Sequence, residues 1–127
     1  MSATAGSSGN PQPIDPAALA NLKDIGGGDS AFVVELIVMF GEDSPPRLEG
    51  IATALAAGDA AEVAKNAHSL KGTGANFGAE RFRSLAQAIE TAGKAGDLTN
   101  VPALLNELNS EFDQVRAALD AAVAKGF

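Results

Sequence analysis

At 127 residues, with 46% apolar residues and a formal net charge of −7, the chain is the size of one domain that can bury a real core. It has no cysteine and one histidine, which excludes disulfides, iron–sulfur and thiolate zinc sites, cysteine nucleophiles and histidine-rich metal centres. A nucleic-acid binder needs a basic face to neutralise phosphates, and nine Lys and Arg against sixteen Asp and Glu argue against one, so no nucleic-acid partner is expected.

Residues 1–13 are Ser, Gly, Ala and Pro-rich and are expected to form a disordered tail ahead of a single helical domain over 14–127. They lack the basic start and apolar stretch of a signal peptide. The longest apolar run, AFVVELIVMF, is too short to span a bilayer. A cytoplasmic, monomeric protein without membrane association is the expectation.

Order should begin at IDPAALANL. Asp15 can cap, Pro16 suits the first helical position, and Ile14 and Leu19 are spaced as a hydrophobic staple. A second helix starts near Asp29 or Ser30, with Val33, Leu36 and Phe40 as a buried stripe that resumes at Leu48, Ile51 and Leu55. Pro45 lacks the amide that would bond the Gly41 carbonyl. The stripe keeps its phase across it, so one kinked long helix is expected, with Met39 in the core.

AAGD, residues 56–59, reads as a turn, and Asp59 with Glu62 as a capping box for a third helix to about Asn76. A fourth helix from about Ala79 to Ala95 buries Phe82, Leu85, Ile89 and Ala92. AGD recurs at 95–97. The last helix carries Val101, Leu105, Leu108, Phe112, Val115 and Leu119, whose alternating spacing of four and three is the seam of a left-handed bundle. Short turns between long helices imply antiparallel neighbours. The predicted fold is all-α: an up-down-up-down four-helix bundle with a short extra N-terminal helix across one end.

The third helix holds the lone histidine, in AHSLKGTGANFGAERF. Its inner stripe is Val63, Ala67, Leu70 and Gly74, which at 3.6 residues per turn leaves His68 roughly 130° from the stripe's centre, facing outward. On the same face lie Ala64, Lys65, Lys71 and Gly72. Two of these have almost no bulk, and two are cations. A glycine inside a helix costs about 0.8–1 kcal/mol relative to alanine, which Gly72 would justify by letting something approach the ring. Gly74 has only a weak packing explanation.

An outward imidazole is a competent nucleophile near neutral pH. Acyl-transfer chemistry would want a serine with His68 as its base, but Ser69 sits on a different face and no glycine-framed serine elbow exists. A histidine that itself takes a phosphoryl group needs less: frontal access, a nearby cation such as the exposed Lys71, and a partner supplying the rest.

HSLKGTGANFGA resembles the signature of histidine-containing phosphotransfer (HPt) domains, through His68, Leu70, Lys71, Gly72, Gly78 and Ala79. The resemblance runs from about Ile14 to Leu119 and includes the early ID..AL..L, a proline within the second helix and the AGD turns. Thr73 and Gly74 stand where Ser or Ala is common, and Phe77 where Leu is common. The resemblance implies that His68 is phosphorylated on the ring nitrogen farther from the backbone. It also implies that Lys71 neutralises phosphoryl oxygens, that Gly72 keeps the approach clear, and that Glu90 holds the other ring nitrogen. Its partners would be response-regulator receiver domains and a hybrid histidine kinase. The chain itself would need no cofactor and no metal, magnesium belonging to the receiver. An ATP-binding kinase lobe does not fit beside the bundle in this length. Two alternatives remain: a non-catalytic scaffold bundle with His68 as surface decoration, and the His-bearing substrate domain of a chemotaxis-type kinase.

Overall fold

The computed structural model describes residues 12–126. Most of the expected tail, residues 1–11, lies outside them, as does Phe127. Five α-helices and no strand are found among the described residues: α1 Pro16–Ile25, α2 Ser30–Ala56, α3 Ala60–Asn76, α4 Glu80–Ala95 and α5 Val101–Lys125. Each of the four long helices packs on its sequence neighbour, and α5 closes back onto α2, which is the ring of a four-helix bundle.

The helix starts follow from local chemistry. The Asp15 carboxylate accepts from the Ala17 amide at 2.9 Å, with Pro16 as the first helical residue. Asp29 caps Ala31 in the same way, also at 2.9 Å. Ile14 and Leu19 are both buried. The capping box at α3 is only half formed: Asp59 accepts from the Glu62 amide at 3.2 Å. Its own amide is taken by the Ala54 carbonyl at 2.8 Å, so no donor is left for the Glu62 side chain.

The long α2 runs unbroken through Pro45 and Pro46. Each proline leaves the carbonyl four residues earlier without its amide. Those carbonyls belong to Gly41 and Glu42, which are half-buried and exposed, so water can serve them. Ser44, just before Pro45, is buried within the helix.

Val33, Ile37 and Phe40 form the inner stripe of α2, with Leu36 only partly covered. Met39 is about half exposed, at 52%, which corrects its expected place in the core. It directly precedes Phe40 and therefore points some 100° away from it. Phe40 is the hub, with ring centroids 5.4 Å from Phe77, 5.5 Å from Phe82 and 5.4 Å from Phe112. Four segments of the chain meet at that ring, and truncating it to alanine would cost about 3–5 kcal/mol. All six expected seam residues of α5 are buried.

Two features fix α3. At its C-terminal end Gly78 has φ +63°, a left-handed conformation open mainly to glycine. The Asp15 amide donates to the Phe77 carbonyl at 3.1 Å, so the start of α1 is tied to this turn. On the α2 side, Gly50 lies under the Asn66 amide, which donates to the Glu62 carbonyl at 3.0 Å. The missing side chain at position 50 thus brings α2 and α3 close together.

Candidate functional site

His68 stands at the middle of α3 with 67% of its side chain exposed, and its Nδ1 lies 2.9 Å from Glu90 Oε2 on α4. Glu90 is nearly fully buried, with its side chain 2% exposed. Three positively charged or chargeable groups surround that carboxylate. Lys71 Nζ is 2.6 Å from Oε1, and Lys94 Nζ is 3.1 Å from Oε2, the oxygen that also faces His68. Oε1 has no aligned hydrogen bond, so its attraction to Lys71 is that of a close charge pair. The Lys71 ammonium donates a hydrogen bond to Gln87 Oε1 at 3.1 Å.

The Lys71 ammonium, with Lys94 and His68 assisting, holds the Glu90 carboxyl down at about 2 from its usual 4.5, against burial, which pushes it up. Glu90 is therefore ionised through the physiological range and can only accept. The ring proton of an uncharged His68 must then sit on Nδ1, which leaves the Nε2 lone pair facing solvent. That is the geometry of a nucleophile.

A Cβ added at Gly72 would meet nothing within 4 Å, so the face one turn beyond His68 is open. The Ser69 and Thr73 hydroxyls are turned back onto helix carbonyls, Ser69 Oγ to Lys65 at 3.4 Å and Thr73 Oγ1 to Leu70 at 3.0 Å. Among the described residues no group of three or more His, Asp or Glu could hold a metal ion.

Three expectations are corrected. Lys71 is not an exposed cation: its side chain is 24% exposed and lies in the seam between α3 and α4. Ala64 is not part of the open face but is buried, at 8%. It packs on Gly93, where a Cβ would come within 2.9 Å of the Ala64 methyl and 2.8 Å of the Ala60 carbonyl. Gly74 is closely packed, since a Cβ there would fall 2.5 Å from the Phe82 ring. Lys65, by contrast, is exposed, one turn before His68 on α3.

The sequence reading missed Lys94, Gln87 and Gly93. The spacing carries a signal for two of them: Gln87 and Lys94 lie three residues before and four residues after Glu90, on its own helical face. Gly93 could have been noticed as a glycine one turn past a carboxylate in an amphipathic helix.

Among the described residues no helix is long and apolar enough to cross a membrane. No curated protein sequence matches the chain significantly. In structure it is similar to histidine-containing phosphotransfer protein B (HptB) of Pseudomonas aeruginosa PAO1. That match has 30% identity and a TM-score of 0.82, over 93% of this chain and all of that one. It shares its fold with the HPT domain of a sensor hybrid histidine kinase from Shewanella, with 24% identity and a TM-score of 0.68, over 85% of this chain and 93% of that one. Residues 35–118 match the Hpt domain, a span that includes both His68 and Glu90, and the chain belongs to that family of histidine phosphotransfer domains.

Proposed function

We propose that His68 is the phosphorylated residue, and that the chain relays a phosphoryl group between receiver domains of a two-component system. The observation that carries this reading is the His68–Glu90 contact, in which a buried, ionised carboxylate fixes the ring proton on Nδ1 and turns Nε2 outward. In the forward step the Nε2 lone pair attacks the phosphorus of an aspartyl phosphate on a receiver. The Nε2–P bond forms as the acyl phosphate P–O bond breaks, and the aspartate leaves as carboxylate. The ring keeps its Nδ1 proton and gains positive charge, which the Glu90 carboxylate stabilises at 2.9 Å. Reversal on a second receiver returns the ring to its starting state.

Gly72 keeps the in-line path clear of side chains. The chain's own residues supply the nucleophile and the charge around it; the aspartate and the magnesium are the receiver's contribution. Hybrid histidine kinases are the upstream partners such domains work with. Incubation with a phosphorylated receiver and magnesium should place an acid-labile, base-stable label on this chain, and His68→Gln should take up none. Equal labelling of wild type and His68→Gln would remove the reading. Labelling only by a separate kinase lobe and ATP would move the chain to the substrate-domain role.

A further inference from the structure

The resemblance assigns the phosphoryl-neutralising charge to Lys71, but the structure shows that charge already engaged. Lys71 Nζ lies 2.6 Å from Glu90 Oε1 and bonds to Gln87, with its side chain three-quarters covered. One ammonium and one carboxylate at that distance nearly cancel at the ring, so a site built from His68, Glu90 and Lys71 alone presents little net charge to an arriving anion. Lys94 differs in each respect. Its side chain is 71% exposed, and its ammonium, 3.1 Å from Glu90 Oε2, shares that oxygen with His68 Nδ1. It is thus held beside the imidazole by a carboxylate whose charge a second lysine already balances.

Resting on the proposed role of His68, we infer that Lys94 is a further catalytic residue, whose ammonium neutralises the phosphoryl group on His68. A phosphoryl group brings about two negative charges near neutral pH. When it arrives on Nε2, the Lys94 ammonium moves from Oε2 to the phosphoryl oxygens. Glu90 keeps Lys71 and the Nδ1 proton, so no buried charge is left unpaired. The exposed, flexible lysine stem lets that movement occur without displacing α4. Lys71 then serves mainly to hold Glu90 ionised in the seam.

The test uses phosphoramidate, a small phosphoryl donor that needs no partner protein: Nε2 attacks its phosphorus, the P–N bond breaks and ammonia departs with a proton. The rate of His68 labelling is measured for the full chain, Lys94→Gln and Lys94→Arg at low and high ionic strength, with thermal denaturation alongside. A single exposed charge close to the reacting group should be worth about fivefold at low salt. We expect Lys94→Gln to slow labelling by about that factor, to approach the wild-type rate at high salt as the charge is screened, and Lys94→Arg to retain the wild-type rate. Labelling of Lys94→Gln at the wild-type rate overturns the proposal. So does a slowing that ignores salt and is shared by Lys94→Arg, since that would mark a purely structural role. A phosphorylated receiver forms the second arm. If phosphoramidate gives the expected pattern while no receiver labels the chain, the relay reading fails and the assignment of Lys94 stands.

Discussion

The two sides of α3 are built from the same small residues to opposite ends. On the sealed side, Gly74 admits the Phe82 ring and Ala64 meets Gly93, with every added atom landing on a neighbour. On the open side, Gly72 faces empty space beside an exposed imidazole. A missing side chain means close packing in one place and access in the other, and only the neighbouring helix tells them apart.

The largest effect should come from filling the sealed side. Gly74→Leu drives a side chain into Phe82 and should lower stability by about 3 kcal/mol, read by chemical denaturation; an unchanged denaturation midpoint would show that the ring can move aside. Glu90→Gln disturbs the seam between the two sides. It keeps a carbonyl for Nδ1 but strips the charge from Lys71. A loss of about 2 kcal/mol is expected at neutral pH, below the roughly 3–5 kcal/mol typical of a broken buried pair, because Lys71 retains Gln87.

That difference should depend on pH. The Glu90 pKa is depressed in the folded state, so its contribution is present above about 4.5 and is lost as the pH falls toward about 2. The stability gap between wild type and Glu90→Gln should therefore narrow across that window. Glu111, whose carboxyl is pushed up by burial against the pull of Arg81, titrates in both proteins and drops out of the comparison. A gap constant from pH 5 to pH 2 would contradict the ionised-hub account. The smallest change in stability is expected on the open side. Gly72→Gln should raise stability by about 0.5 kcal/mol through helix propensity, yet slow transfer from a receiver at least about tenfold. Normal transfer by that variant would show that the space beyond His68 is not used.

The frame of the fold was legible because its signals are local. Capping aspartates at 15, 29 and 59 and the four-three seam of α5 depend on neighbours within a turn or two. In AFVVELIVMF nearly every residue is apolar, so hydrophobicity carries no phase, and Met39 was misplaced while Ile37 went unmarked. At the site, the outward direction of His68 followed from the wheel of one helix. Glu90 came only with the family resemblance. Lys71 sits at the rim of α3's buried stripe, where a wheel cannot say whether a long stem reaches solvent or lies along the next helix. Its pairing with Glu90 means that Lys71→Ala should disturb folding as well as transfer. Gly74 was underrated for the same reason: its importance resides in Phe82, on another helix.

Position 93 holds no reactive group, yet it governs how far apart two reactive groups sit. With backbone and methyl of α3 resting against its bare Cα, α4 comes near enough for a carboxylate one turn earlier to meet the imidazole. Any thicker residue there would work like a shim slipped between two plates. It would widen the gap, lengthen the contact that chooses the tautomer, and retune the reactivity of His68 without altering a single atom that takes part in the chemistry.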